Sequence, residues 1–401
     1  MRESTSSSRI YISAFGSGLG HISRIQEIAK TLHPKSTLLY STFDDALQYL
    51  KQEGEAVVEA PSISFKWNEQ GGFSGRDTFL RFPLAILSFM RQVGFESSTL
   101  AQFKPDLVLS DSRLSTIVAA SMNNFPVITI LNQFKVLFPP RFRKGRISRF
   151  YERIAGDALG LLWSLSDQVL VPDLPPPFTI CESNVSGTEI SHRARFIGFM
   201  SPREEIARDR LERVSKALNL DSRPLVYMQI SGPAQSKTHF SRTAIEAVSE
   251  IAADYNVVVS LGIPKGSSEA RRIANGGWVY EWCPIKNELF ELSSLLVARA
   301  GHTTIGQCVD SGKPAVLVPI YNHSEQIWNA DKFSRMGLGL NIRSEELTRQ
   351  RLVECVKQCM TDPTYKANAA RIQEVSRRHD GLGNASRIIN YYVERSVEKQ
   401  R

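Results

Sequence analysis

YISAFGSGLGHISRIQEIAKTL, residues 11–32, runs from a largely apolar segment through a glycine-rich turn into helical spacing. The opening reads as a strand covered on both faces. Ile22, Ile25, Ala29 and Leu32 then share one helical face. LVYMQISGPAQSKTHFSRTAIEAV, residues 225–248, repeats the order of strand, Gly/Ser turn and helix, with Ile245, Val248 and Ala252 on one face. Around these two segments, strand-like runs alternate with helical ones. They fall at 37–42, 56–60, 106–111, 127–131, 168–172 and 195–199, then at 256–263, 278–282, 295–300, 315–320 and 339–342. Such alternation builds parallel sheets from βαβ units. The chain is expected to be α/β, with two doubly wound, Rossmann-like domains. Gly, Ser and Pro gather at Gly198–Arg203 and mark the seam, dividing the chain into 1–200 and 201–401. A last helix near Ala385–Val397 fits either domain.

The length of 401 residues agrees with two domains. With 42% hydrophobic and 22% charged residues, the composition excludes intrinsic disorder and collagen-like repeats. No apolar run is long enough for a transmembrane helix. MRESTSSSR at the start has no apolar core and reads as a polar tail rather than a signal peptide. The five cysteines form no C-x-x-C pair, which argues against a disulfide framework or a zinc knuckle and for reduced thiols in the cytoplasm.

Open parallel sheets bind ligands beyond the carboxyl ends of their strands. There the first half places Gly16, Gly18 and Gly20, spaced G-x-G-x-G rather than as the dinucleotide G-x-G-x-x-G. An NAD-linked oxidoreductase is therefore not expected. His21 follows directly, placed for general-base work, with a structural histidine as the alternative. Asp111 ends the strand-like DLVLSD at the same edge. It is a candidate to orient the imidazole, or else to cap the helix starting near Leu114.

In the second half, LLVARAGHTTIGQCVDSGKPAVLVPIYNHSEQIWNA, residues 295–330, carries the strongest signal. Gly301 allows a tight turn, and His302, Thr303 and Thr304 open a short helix. Its free amides, the two hydroxyls and Arg299 suit a diphosphate; an ordinary capped helix start is the plainer reading. The loop after the next strand, with Glu325 and Gln326, suits sugar hydroxyls. Trp282 and Ile285 end an upstream strand, either as a platform for a planar base or as core. Ser231 and Gly232 offer close backbone approach. Together these segments suit a nucleotide-sugar. No D-x-D lies near them, so no obligatory metal or other cofactor is expected.

The motifs GSGLGHISR, ISGP, WCPI and the 295–330 stretch resemble the GT-B-fold glycosyltransferases. The likeness is to family 28, which adds N-acetylglucosamine to lipid-linked muramyl-peptide, and to the UDP-glycosyltransferases of the bacterial and archaeal branch. The resemblance implies two domains facing across a cleft, with the acceptor on the first and a UDP-sugar on the second. It implies an inverting transfer of a hexose or N-acetylhexosamine, with His21 and Asp111 as a catalytic dyad. It further implies uracil recognition by Trp282 and Ile285, diphosphate binding at His302, Thr303 and Thr304, and sugar recognition by Glu325 and Gln326. Gln307 stands where relatives carry a glutamate on the ribose hydroxyls, so its hydrogen bonds lack that charge.

Net charge is +8, and much of the excess lies at Arg141, Arg143, Lys144, Arg146, Arg149 and Arg153, interleaved with Phe138, Phe142, Phe150, Tyr151 and Trp163. This mixture suits an anionic membrane surface and a lipid-linked or glycan acceptor, with a solvated helix face as the alternative. It predicts peripheral attachment at the inner face of the cell membrane. No nucleic-acid-binding module is visible. The competing functions are a UDP-sugar epimerase or hydrolase on the same scaffold, and a non-catalytic subunit that anchors a glycosyltransferase.

Overall fold

The computed structural model describes residues 8–16, 18–32, 34, 36–62, 82–135, 137–138, 143, 145–201, 206–263, 265–273 and 276–399. They form two compact units. One gathers the described residues up to Ser201 with those from His379 onward; the other holds those from 206 to Arg378.

The first unit is built on seven strands: β1 (Arg9–Ala14), β2 (Thr37–Thr42), β3 (Val57–Glu59), β4 (Leu107–Asp111), β5 (Val127–Ile130), β6 (Gln168–Val171) and β7 (Arg195–Phe196). Their order is β3-β2-β1-β4-β5-β6-β7, parallel throughout. The central strands are buried on both faces, which is why they read as apolar runs. Helices α1 (Gly20–Thr31), α2 (Asp44–Gln52), α3 (Phe82–Phe103), α4 (Leu114–Met122), α5 (Arg146–Trp163) and α6 (Glu182–Val185) connect them. One apolar cluster joins Ile10 and Ile12 of β1 to Ile22, Ile25 and Ile28 of α1. On the opposite face, Glu96 of α3 is buried and satisfied by Arg113 at 2.6 Å, Ser41 at 2.7 Å and the Tyr11 hydroxyl at 2.8 Å.

The second unit repeats the plan with β8 (Leu225–Gln229), β9 (Asn256–Ser260), β10 (Arg271–Arg272), β11 (Trp278–Tyr280), β12 (Ser293–Ala298), β13 (Ala315–Leu317) and β14 (Gly339–Asn341). The order is β10-β11-β9-β8-β12-β13-β14, with only the β10–β11 pair antiparallel. Its helices are α7 (Arg208–Ala217), α8 (Ala234–Ile251), α9 (Lys286–Leu292), α10 (His302–Asp310), α11 (Ser324–Arg335), α12 (Arg349–Thr361) and α13 (Pro363–Arg377). The buried stripe of α8 is Phe240, Ala244, Ala247, Val248 and Ile251, whereas Ile245 is 37% exposed. The face expected through Ile245 is thus rotated: the small Ala244 and Ala247 occupy its middle. Helix α10 stops where Gly312 turns left-handed at φ +64°.

The last helix, α14 (Gly381–Lys399), belongs to the first unit. Ala385, Ile389 and Val393 enter the β1–α1 cluster, and the Asn384 amide donates to the Ile197 carbonyl at 2.8 Å. The chain enters α14 so closely that a Cβ on Gly381 would stand 2.1 Å from the Phe199 carbonyl oxygen.

Candidate functional site

Each sheet reverses its winding once, between β1 and β4 and between β8 and β12. Loops diverge at such a point and leave a crevice at the carboxyl edge. The polar residues expected from the sequence follow these strands.

In the first unit, β1 ends at Ala14 and the chain turns at Gly16, where a Cβ would lie 2.2 Å from the Phe43 carbonyl oxygen. Gly18 adopts φ +80°, and its amide donates to Asp45 Oδ2 at 3.1 Å. Gly20 opens α1, which lifts His21 over the end of β4. His21 Nδ1 then stands 2.7 Å from Asp111 Oδ1. The imidazole side chain is 29% exposed, the carboxylate not at all. Phe15 meets the imidazole edge-on, with ring centres 5.8 Å apart.

Asp111 does not cap the following helix: the residue before α4 is Arg113, and no side chain caps that end. The carboxylate instead gathers donors. Besides His21 it accepts from Arg24 Nε and Nη2, each at 2.5 Å, and from the Ser112 hydroxyl at 3.1 Å. Burial would push Asp111 up. The positive charge of Arg24, then the neighbouring His21, overcomes this and holds the carboxyl at about 2. Arg24 is a site residue that motif reading passed over. Its signal is spacing: three residues after His21, it shares that histidine's helical face.

In the second unit, Ser231 and Gly232 follow β8, and Gly232 takes φ +111° before α8. Gly301 is the N-cap of α10, and no side-chain hydrogen bond caps the helix start. His302 is buried; Thr303, Thr304 and Gln307 are partly exposed along the same helix. After β13, the partly exposed His323 ring accepts the Gln326 amide at 3.4 Å, and desolvation pushes its pKa down. Gln326 Oε1 in turn accepts the Ile320 amide at 3.0 Å. Glu325 lies in the first turn of α11. Trp282 and Ile285 follow β11, two strands from the reversal on the β9 side. Trp282 is 39% exposed, so it is no core residue.

Arg299 is placed otherwise than expected. It is 4% exposed, and its guanidinium is spent on carbonyls: Nη1 donates to Val318 at 3.0 Å, Nη2 to Ser236. Its face covers the Phe240 ring at 4.8 Å. The side chain therefore ties the first turn of α8 to the loop after β13 rather than extending toward a phosphate. No carboxylate pairs with it among the described residues, and burial lowers its pKa to about 10.

Of the basic stretch, Arg141, Phe142 and Lys144 lie outside the described residues. Arg143 pairs with Glu152 at 2.7 Å and so adds little to an outward field. Arg146, Arg149 and Arg153 are exposed on α5. Beside them Phe150, Tyr151, Ile154 and Leu161 are 61%, 63%, 51% and 66% exposed. Trp163 is core instead: it is 7% exposed, and its indole donates to the Phe134 carbonyl at 3.2 Å. No described helix is long and apolar enough to cross a membrane.

Comparison with known proteins fits this geometry. Residues 231–382 match the glycosyltransferase family 28 C-terminal domain. An uncharacterized glycosyltransferase of Methanosarcina mazei is 23% identical over 384 residues, covering 93% of this chain and 95% of the relative. The UDP-N-acetylglucosamine–N-acetylmuramyl-(pentapeptide) pyrophosphoryl-undecaprenol N-acetylglucosamine transferase of Clostridium perfringens is 24% identical, covering 73% of this chain and 74% of the relative. Among solved structures, the spinosyn rhamnosyltransferase SpnG complexed with thymidine diphosphate superposes with a TM-score of 0.68 at 14% identity, covering 95% of this chain and all of that one. With its two doubly wound units and these matches, the chain is a glycosyltransferase of the GT-B fold whose second unit carries a family 28 C-terminal domain.

Proposed function

We propose that the protein moves a hexose or N-acetylhexosamine from a UDP-sugar to a lipid-linked acceptor, with inversion and without a metal. The observation that carries this reading is the 2.7 Å contact between His21 Nδ1 and Asp111 Oδ1. It commits Nδ1 to the carboxylate, so the other ring nitrogen, Nε2, is the one left to take a proton from an acceptor hydroxyl. A positioned base of this kind is worth about 10²–10⁴-fold in rate. The acceptor oxygen attacks the anomeric carbon, the bond from that carbon to the diphosphate oxygen breaks, and the acceptor's proton passes to His21.

The leaving diphosphate would meet the amides and hydroxyls of Gly301, His302, Thr303 and Thr304, a preorganised set of donors for developing negative charge. Buried and without a carboxylate partner among the described residues, Arg299 contributes its positive field from behind that turn. Trp282 and Ile285 would hold the base, Gln307 the ribose, and Glu325 with Gln326 the sugar. The name of the Clostridium relative supports both a UDP-linked donor and a polyprenyl acceptor. The exposed apolar and cationic face of α5 supports work at an anionic membrane surface on the cytoplasmic side.

Thermal stabilisation by UDP, TDP, GDP and ADP in metal-free buffer tests the donor. Ligand at 100 times its dissociation constant stabilises by about 2.7 kcal/mol. A rise with UDP above the others supports the reading. A rise with TDP alone changes the donor, and no rise with any nucleotide overturns it.

A further inference from the structure

Asp111 holds two side chains at once, His21 and Arg24. Its Oδ1 lies 2.7 Å from His21 Nδ1 and 2.5 Å from Arg24 Nη2, while Oδ2 lies 2.5 Å from Arg24 Nε. The Arg24 fork is bidentate and closed off from water: its side chain is 5% exposed and that of Asp111 0%. Arg24 Nη2 also stands 3.2 Å from His21 Nδ1, so the guanidinium and the imidazole converge on the same oxygen.

A buried carboxylate facing an imidazole alone stabilises the imidazolium, because an opposite charge within a few ångströms favours the ionised form. An imidazolium has no lone pair to accept a proton. The device that makes His21 basic would therefore also disable it near neutral pH, unless something else balances the carboxylate. We propose that Arg24 is the positioning residue that balances Asp111 and thereby keeps His21 neutral, protonated on Nδ1 and open on Nε2. The proposal rests on the reading of His21 as the base and adds what tunes it.

The choice of residue suits the task. A guanidinium stays charged across the working pH range, and its planar fork fixes the carboxylate in one orientation. With His21 neutral, Asp111 and Arg24 cancel. Protonating His21 leaves a net positive charge beside an existing cation. Asp111 accepts from His21, from the Arg24 fork and from the Ser112 hydroxyl. From the neighbouring elements, Asp45 of α2 binds the Gly18 amide, while Glu96 of α3 and Arg113 pair with each other. Phe15 and Ser112 add only an aromatic ring and a hydroxyl.

Titration of isotope-labelled histidine by NMR tests this directly, with His21→Gln identifying the signal among seven histidines. Arg24→Gln keeps a hydrogen-bonding side chain and removes the charge; the His21 midpoint is expected to rise by about one to three pH units. Arg24→Lys restores the charge and should bring the midpoint back toward wild type. A midpoint that stays in place or falls in folded Arg24→Gln overturns the proposal. Where that variant does not fold, Asp111→Asn and Asp111→Asn/Arg24→Gln are compared: the double variant must titrate above the single, and an equal or lower midpoint overturns the proposal. The pH profile of kcat/KM with a hydroxyl acceptor is measured alongside. An acid limb that moves with the midpoint supports both readings. A midpoint that moves without the rate supports the role of Arg24 and removes His21 as the base.

Discussion

His21, on the first turn of α1, reaches Asp111, the last residue of β4, across 90 residues of chain and a 2.7 Å contact. Replacing His21 with alanine is expected to lower turnover on a hydroxyl acceptor by about 10²–10⁴-fold while leaving UDP affinity in place. Single-turnover kinetics beside calorimetric UDP binding separates the two quantities.

Asp111 should also shape the acid stability of the fold. Its folded pKa, about 2, lies below the ordinary 3.8. The stabilisation is therefore present above pH ~4 and fades as pH falls through about 2, and it amounts to about 2 kcal/mol. Urea unfolding at stepped pH should show Asp111→Asn with a shallower loss of stability across that window. It should also be less stable than wild type at neutral pH, since Arg24 is left buried without its partner.

Gly16 and Gly18 should respond differently to alanine. At Gly16 a Cβ would stand 2.2 Å from a backbone carbonyl oxygen, whereas at Gly18 nothing lies within 4 Å but φ is +80°. Gly16→Ala must displace the β2–α2 junction and is expected to cost about 1–3 kcal/mol or more. Gly18→Ala pays only for the left-handed backbone, about 1–2 kcal/mol. Denaturant melts of both variants provide the comparison.

Arg299→Lys is expected to fail as a conservative change. A single ammonium cannot reproduce a fork that serves the Val318 and Ser236 carbonyls from a buried position. Loss of about 2 kcal/mol or more is expected from the unpaired carbonyls, and UDP affinity falls as a consequence of loosened loops. A thermal midpoint that drops before any ligand is added would show this order of cause and effect.

Trp282→Ala should do the opposite. The side chain is 39% exposed, so stability should change little. UDP affinity should fall by about 1–3 kcal/mol if the indole stacks on the base. Calorimetry with UDP and with a sugar-free pyrophosphate identifies the base as the part that is lost.

On α5, Phe150→Ser together with Leu161→Ser removes two side chains that are 61% and 66% exposed. Flotation with anionic vesicles should fall with the pair. It should fall again with Arg146→Gln and Arg149→Gln, by about 1 kcal/mol per cation. Wild-type protein that fails to float with such vesicles would remove the membrane reading.

The strand–helix alternation was legible because buried parallel strands carry unbroken apolar runs, as Val257–Val259 shows within β9. The two-residue strand β10 was not: Arg271 and Arg272 are exposed and carry no apolar pattern. Site residues at strand ends were legible through glycine, histidine and hydroxyl clusters, since a turn at the carboxyl edge demands those types. Arg24 escaped because its meaning depends on Asp111, 87 residues away. Arg299 was found but given the wrong direction: a sequence shows that an arginine follows a strand, not that the Val318 and Ser236 carbonyls will claim it. Trp163 likewise lies in a cationic, aromatic stretch, yet its indole turns inward to Phe134.

The return of α14 to the first unit sets an order of assembly. Ala385, Ile389 and Val393 complete an apolar cluster with Ile22, Ile25 and Ile28. A ribosome delivers Ala385, Ile389 and Val393 only after the whole second unit has been made. Domains usually finish in the order of synthesis; here the unit begun first is closed last. Until then the β1–α1 cluster lacks the apolar cover that α14 supplies.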